Sequence, residues 1–327
     1  MTATIRDVAN AAGVSASTVS RAFGRPEKVD DDTRERILSS ARALDYQPNR
    51  AAQSLITGRT GNIGIVVPDL GNPFFPSVVK GAQTRAHELG YSVLLADTDE
   101  DAAAEPLLVR GLARQVDGLI LCAPRMSDRE LLEAQEQCPI VLVNRRVSGV
   151  PAVTIDNAGG MGQVVNHLHA LGHQRVGYVA GPASSYSNLE RQEAAEKHLA
   201  AAGLVYVLIG AYEPSFDGGA RAADAVLLAD VSAVVVYNDV MAIGLVSRLT
   251  GYGVSIPAEL SIIGFDDIPI ASMVTPPLTT VRIEREQAGR MAIEHLRDLL
   301  MARRGQIDPP PELGTELVVR GSSARAR

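Results

Sequence analysis

The feature that most limits what this chain can fold into is a succession of short, unbroken apolar runs along its middle. NIGIVVPD from Asn62, YSVLLADT, DGLILCAP and PIVLVNR come first; after AVTIDN the series resumes with RVGYVAGP, VYVLIGAY, SAVVVYND and LSIIGFDD. Runs with no polar alternation belong to strands covered on both faces, as in parallel sheets. Helical stretches separate them. In Ser77 to Leu89, Val78, Ala82, Ala86 and Leu89 recur on one face. Strands alternating with helices predict a doubly wound α/β fold. The series also repeats itself: Ile63-Gly64 and Val176-Gly177 open similar strands 113 residues apart, and Asp117 and Ser232 precede a second matched pair 115 apart. Two similar lobes with a cleft between them follow.

The first 60 residues obey a different period. Ile5, Val8, Ala9 and Ala12 form one apolar helical face, Gly13 breaks that helix, and Ser15 is placed to cap a second. Val19, Ala22 and Phe23 face inward from it, and Ala16, Ser17, Thr18, Ser20 and Arg21 face outward. Two short helices around a Gly-containing turn predict a helix-turn-helix, whose second helix enters the DNA major groove. A third helix is expected over Asp32 to Leu44, capped by Asp30, with Ile37, Leu38, Ala41 and Leu44 inward. Asp45-Tyr46-Gln47-Pro48 ends the unit, because Pro48 disfavours helix at Gln47. Asn49 then caps a helix that Gly58 closes, too short to persist in water without a partner.

At 327 residues the chain is long enough for two or three domains. No apolar run approaches the roughly 18 residues of a membrane span, and no signal peptide opens the chain. Cys122 and Cys138 sit in apolar surroundings without metal-ligand spacing, which reads as buried reduced thiols and a cytoplasmic setting. Residues 1–60 carry nine basic and seven acidic residues, leaving 22 basic and 31 acidic for the rest of the chain, a net of −9 there. The acidic remainder repels DNA, so phosphate contacts fall to the N-terminal piece.

DVANAAGVSASTVSRAF, followed by DDTRERILSSARALDYQPNRAAQSLITGRT, resembles the headpiece and hinge of the LacI/GalR family of transcriptional regulators. The α/β part resembles the periplasmic sugar-binding-protein fold that the same family uses as its effector domain. The resemblance implies a DNA-binding headpiece over 1–48, a hinge helix and linker over 49–60, and an effector domain over 61–327. Its N-lobe spans about 61–156 and 284–310 and its C-lobe about 157–281 and 314–327, with crossings near Asp156, Val281–Glu284 and Pro309–Gly314. It further implies that Ala16 and Ser17 face base edges and that Arg21 reaches a guanine. Thr4, Ser15, Thr18, Ser20, Tyr46 and Asn49 are implied at or near phosphates. Arg50 and Ala52 would lie toward the minor groove, with Leu55 as an apolar wedge that kinks a central CpG step.

Ligands of open α/β sheets bind beyond the carboxyl ends of the strands. The residues there are Asp69, Asn72, Phe74 and Phe75, then Asn144 and Arg145, then Arg191, Asn238, Asp239 and Asp266. Aromatic faces beside planar amide, carboxylate and guanidinium groups suit a sugar. The competing reading makes Phe74 and Phe75 helix-start core, and Asn238 and Asp239 caps of the next helix. The family comparison adds its weight to all of these except Asp69 and Asp239. The chain departs from the family pattern at Asn144, where Asp is common, and at Ala194 and Ala195, where Gly and an aromatic are common. Tyr212 or Phe216 is expected to supply the second lobe's aromatic wall.

Enzyme signatures are lacking: no G-x-G-x-x-G follows the first strand, and there is no Walker loop and no G-x-S-x-G elbow. Gly159-Gly160-Met161-Gly162 reads as a helix start. His167, His169 and His173 do not share a helical face, so no metal is expected, and no cofactor. Asp266 and Asp267 are adjacent and point apart, which argues against acid–base chemistry. The expectation is a cytoplasmic, homodimeric repressor whose partners are double-stranded operator DNA and a small carbohydrate-like effector, with no membrane. The competing reading is a sugar-binding transport protein without specific DNA binding. Ser322 to Arg327 is expected to fray, and no heptad repeat follows ELVVRGSSARAR to build a tetramer.

Overall fold

The computed structural model describes residues 3–24, 28–46, 59–301 and 312–327. The N-terminal unit holds α1 (Ile5–Ala12), α2 (Ala16–Gly24) and α3 (Asp31–Ala43). Val8, Ala9, Ala12, Val19, Ala22, Ile37 and Ala41 are buried together, with Ile5, Val14, Phe23 and Tyr46 packed around them. Gly13 ends α1 at φ 66, a left-handed conformation that costs glycine little. Ser15 Oγ accepts the Thr18 N–H at 3.2 Å, and the Asp30 carboxylate accepts that of Thr33 at 3.3 Å, so both expected caps are in place. Leu44, expected on the inner face of α3, is exposed because the helix has already ended at Ala43. Tyr46 packs on the cluster instead, its ring edge-on to Phe23 at 6.0 Å. The expected hinge helix, with Asn49, Arg50, Ala52 and Leu55, lies outside the described residues.

The α/β domain contains two sheets of matching order. Among the described residues the first runs β2 (Ser92–Asp97), β1 (Asn62–Val67), β3 (Gly118–Cys122), β4 (Ile140–Val143) and β5 (Ala152–Val153). The second runs β7 (Val205–Ala211), β6 (Arg175–Ala180), β8 (Ala233–Val236) and β9 (Ser261–Ile263). The internal echo is visible in the register: Ile63 pairs with Gly118, and Val176 with Ala233, both in parallel. The central strands β1, β3, β4, β6 and β8 are buried almost throughout. The outer strand β2 is half-exposed, and Leu95 keeps 43% of its surface open, although its run is as apolar as the others. Being at the sheet edge, not composition, sets that difference.

Among the described residues, three segments lie side by side between the lobes. Leu313 exchanges backbone hydrogen bonds with Thr154 and Asp156, and β10 (Thr280–Ile283) pairs antiparallel with β11 (Thr315–Val318). The short β10–β11 ladder was not expected as strand. Beyond β10 the chain returns to the first lobe as α12 (Arg285–Met301), packed on α4 (Phe74–Glu88). The two helices meet at glycines. A Cβ on Gly81 would stand 2.0 Å from the Glu286 carbonyl oxygen, and one on Gly289 would stand 2.0 Å from that of Val78. Helix α4 begins three residues earlier than its periodicity predicts, because the Asn72 side-chain oxygen accepts the Phe74 N–H at 3.0 Å.

The C-terminal residues are docked, not frayed. The buried Ser322 hydroxyl bonds to the Ile262 carbonyl and accepts the Thr279 N–H at 2.8 Å, while its own carbonyl accepts the Ile262 N–H at 2.8 Å. Ala324 exchanges bonds with the Ser261 hydroxyl. The tail thus covers the outer edge of β9, which supplies partners that composition alone could not reveal. Two of the three histidines serve it. His173 Nε2 donates to the Ala324 carbonyl at 3.1 Å while Nδ1 accepts from Ser232 at 2.8 Å, and His167 Nε2 meets Ser323 Oγ at 3.0 Å. Cys122 and Cys138 are both buried, and burial pushes the Cys122 thiol up to about 12.

Gly81→Ala or Gly289→Ala forces α4 and α12 apart. Thermal unfolding should show either variant destabilised by about 1–3 kcal/mol, the range for overpacked cores, whereas Gly111→Ala, where a Cβ meets nothing within 4 Å, should not be.

Candidate functional site

The N-terminal unit presents one polar face. Ser17 and Arg21 are exposed on α2, and Ala16, Thr18 and Ser20 are partly so. Arg21 is steadied by its own helix, its Nε donating to the Ser17 carbonyl at 3.2 Å, so the remaining guanidinium edge projects outward. Ser15 Oγ lies 2.8 Å from both Ser17 Oγ and Thr18 Oγ1. Thr4 sits at the start of α1, where its N–H and hydroxyl donate to Asp7 at 2.8 and 2.7 Å and hold that carboxyl below the usual carboxylate range. Small side chains beside one outward arginine leave backbone close to whatever approaches, which is the chemistry of a groove-reading helix.

The second candidate site lies between the lobes, and its centre is Arg191. This residue is on α8 (Tyr186–Ala201) and keeps 2% of its surface open. Nε donates to Asn157 Oδ1 at 3.0 Å, Nη1 to the Tyr237 carbonyl at 2.7 Å and Nη2 to Asp266 Oδ1 at 3.3 Å. The guanidinium carbon stands 3.7 Å from the centre of the Phe265 ring and 5.3 Å from that of Tyr237. Asn157, the first residue of α7 (Asn157–Ala170), extends the chain of bonds. Its Nδ2 donates to Asn144 Oδ1 at 3.2 Å in the first lobe and to Glu190 Oε2 at 2.9 Å in the second.

Other expected residues are placed as follows. Asn144, the residue after β4, has φ 56, a left-handed conformation that asparagine tolerates better than most side chains. Arg145 is anchored in the first lobe, donating to the Pro124 carbonyl at 2.9 Å and to Asp128 at 2.7 Å. Asn238 caps α11 (Asp239–Gly251) by accepting the Met241 N–H at 2.9 Å. Among the described residues, Asn238 Nδ2 and Arg145 Nε are buried donors without a partner. Asp69 accepts the Gly71 N–H at 2.6 Å, and burial, helped by Asp97, Glu100 and Asp99, raises its pKa.

Three expectations change. Phe74 and Phe75 are buried edge-on at 5.1 Å within the apolar core and belong to the start of α4 as much as to any cleft. Asp239 is fully buried and turned inward: it accepts the Ile268 N–H at 2.9 Å and the Thr280 hydroxyl, so it braces the β8–β9–β10 corner. Phe216, offered as an aromatic wall, lies in a surface groove between α9 (Phe216–Arg221) and α11, beside Ser247, Arg248 and Tyr252. Tyr212 is half-buried against the second lobe's core. The aromatic surface around Arg191 comes instead from Tyr237 and Phe265, each one residue before a named polar residue at a strand end. That adjacency was the available signal. Asn157 and Glu190 carried none, since each is an ordinary helical residue until the fold closes.

Burial dominates the site's electrostatics. It pushes the Asp266 carboxyl up to about 6, even though Arg191 and Arg285 pull it down. Asp239 is driven well above its usual range by burial first and the nearby Asp266 charge second. Tyr186 rises to about 12 through burial, with Glu190 beside its hydroxyl adding to the shift.

A helix-turn-helix in one chain with a two-lobed parallel α/β domain defines a transcriptional regulator that couples DNA to a binding cleft. The comparisons with known proteins agree. Residues 4–49 match the model of bacterial regulatory proteins of the lacI family, and residues 165–323 match a periplasmic binding protein-like domain. The regulator GalS of Salmonella typhimurium is 37% identical over 299 residues, 89% of this chain and 88% of its own. The lac repressor dimer bound to operator and the anti-inducer ONPF superposes with a TM-score of 0.86 at 29% identity, covering 99% of this chain and all of that one. A CelR–cellobiose complex superposes at 0.72 with 30% identity, covering 98% of this chain and all of the other. The chain belongs to the LacI family of bacterial transcriptional regulators. Among its described residues no helix is long and apolar enough to cross a membrane.

The Asp266 assignment predicts a pH signature. Its folded pKa of about 6 lies above the unfolded value near 3.8, so the native state holds a proton that the unfolded state has lost. Stability should therefore fall as pH rises through that window. Urea unfolding from pH 4 to pH 7 should show this slope in the wild type and a smaller one in Asp266→Asn; identical slopes would remove the assignment.

Proposed function

We propose that this regulator is a cytoplasmic repressor, acting as a homodimer on a palindromic operator, whose DNA affinity is set by a small carbohydrate in the interlobe cleft. The observation that carries the reading is the Arg191 cluster: a buried guanidinium lies over two aromatic rings at the carboxyl ends of β8 and β9 and bonds an amide and a carboxylate. Planar bidentate groups suit vicinal hydroxyls, and ring faces suit C–H patches. The unpartnered Asn238 and Arg145 donors would complete that set. In this reading the effector residues are Asn72, Asn144, Arg145, Arg191, Asn238 and Asp266, with Asp69 at the rim and with Phe74 and Phe75 backing the cleft from the core at the start of α4. Cellobiose in the related CelR and operator DNA with the lac repressor dimer support both halves of the proposal.

Two headpieces would read two half-sites, since protein symmetry is mirrored in the operator. Arg21 reads a guanine, the outward residues of α2 and its neighbours position the phosphates, and Leu55 wedges the central step. The headpiece spans 1–48 and the hinge 49–60. A ligand that favours the DNA-bound arrangement of the lobes is a corepressor, and one that favours the other is an inducer.

The test begins with an operator selected from a randomised duplex pool. Arg21→Ala should lose about 1–3 kcal/mol of discrimination at one base pair per half-site. Leu55→Ala should weaken the selected operator while leaving effector binding intact. A thermal-shift panel of sugars, sugar phosphates and nucleosides then names the ligand class, because saturation at 100 times Kd adds about 2.7 kcal/mol. A sugar that shifts unfolding in the wild type but not in Arg191→Ala, and alters operator affinity, supports the proposal. A panel hit that leaves operator affinity unchanged refutes the coupling.

A further inference from the structure

Tyr186 opens α8 in the second lobe, yet its ring is met from the first. The Arg145 guanidinium, just beyond β4, lies 5.9 Å from the ring centre. Arg146 and Glu190 stand beside the hydroxyl. One turn along α8, Glu190 accepts from Asn157, which also donates to Asn144. A single helical turn therefore touches the first lobe along two routes.

Both sides of the ring contact are rigidly mounted. Arg145 is held to its own lobe by the Pro124 carbonyl and Asp128, so its head cannot follow a retreating ring. On the other side, Ser185 Oγ and Ser187 Oγ meet the Tyr237 hydroxyl at 2.9 and 3.2 Å and fix the start of α8 to β8. A contact between two rigid mounts cannot survive rotation of one lobe against the other. Arg146 differs: it is exposed and pairs with Glu312 at 2.8 Å, and such pairs contribute little.

We propose that Tyr186 is a positioning residue for the effector response, its ring on Arg145 holding the two lobes in the arrangement seen here. The proposal rests on the reading of the cleft as the effector site. A ligand that grips only this arrangement has an apparent affinity reduced by the fraction of molecules that occupy it, so Tyr186 tunes sensitivity without needing to touch the ligand.

The test measures lobe separation directly and uses neither ligand nor DNA, so its failure is distinct from failure of the proposed function. Spin labels go on the full chain at Glu136→Cys in the first lobe and Lys197→Cys in the second, both exposed positions, while the native thiols are buried. Labelled chain is mixed with excess unlabelled chain, and distances are read by double electron–electron resonance. Tyr186→Ala should lower the population at the wild-type distance relative to wider separations by about fivefold, or about 1 kcal/mol at 1.4 kcal/mol per factor of ten, the scale of a cation–π contact. Tyr186→Phe keeps the ring and should stay within about twofold of wild type. Arg145→Gln should reproduce Tyr186→Ala from the other lobe, and the double variant should add nothing further. If Tyr186→Ala does not fold, Arg145→Gln carries the same test. A distance distribution for Tyr186→Ala or Arg145→Gln that superposes on wild type overturns the proposal, as does Tyr186→Phe matching Tyr186→Ala.

Discussion

The interlobe region depends on making a buried guanidinium tolerable. An arginine removed from water is costly unless its charge and its donors are all answered. For Arg191 the answers come from four places in the chain: Asn157 after the first crossing, the Tyr237 carbonyl at the end of β8, Asp266 after β9, and the Phe265 ring beneath. Each is delivered by a strand or helix terminus, so the geometry of two sheets converges on one side chain. Asp266 and Asp267 both adopt positive φ to reach their partners. Such conformations persist only where the surroundings over-determine them. Here Arg282 and Arg320 hold the Asp267 carboxylate, and Arg285 holds the Asp266 carbonyl.

That arrangement also explains why so much of the cleft is occupied by its own side chains. Asn144, Asn157, Glu190, Arg191 and Asp266 satisfy one another in sequence. A network already aligned in this way presents oriented donors and acceptors to an incoming polar molecule and needs little rearrangement. Asparagine at position 144 fits the pattern: it passes a neutral amide into the network where a carboxylate would bring a second buried charge near Asp266.

The alternation of apolar runs was enough to place the parallel strands and to find the repeat between lobes, because burial on both faces leaves a direct mark on composition. The helix-turn-helix was legible for a similar reason: Gly13, Ser15 and Asp30 each perform a local task that only a few residue types can perform. What could not be read depends on partners far away in the chain. The β10–β11 ladder is two four-residue segments whose pairing is created by the crossing geometry. The tail looked loose because Ser322, Ser323 and Ala324 have no local reason to be ordered; their partners are Ile262, Thr279, His167 and His173. Asp239 looked like a ligand because it ends a strand, and the direction its side chain takes is decided by Ile268 and Thr280. Phe216 shows the same limit, since an aromatic at the right distance along the chain can still fall on the wrong face of a helix.

The return of α12 to the first lobe and the docking of the tail on β9 bear on how the molecule is made. The first sheet lacks the helix that meets Gly81 until residues 285–301 exist, and the second lacks cover on its outer edge until residues 322–324 do. The first lobe therefore cannot finish folding until most of the second has been synthesised, nor the second until residues 322–324 exist, although a nascent chain usually folds domain by domain from its N-terminus. The three-helix unit at the start, whose described core residues all lie between Ile5 and Tyr46, is free to form early. The remainder must wait as an incomplete pair of sheets with an apolar helix face and a strand edge uncovered. Biogenesis of this regulator is consequently a late, concerted event governed by contacts of long sequence separation, which fold slowly.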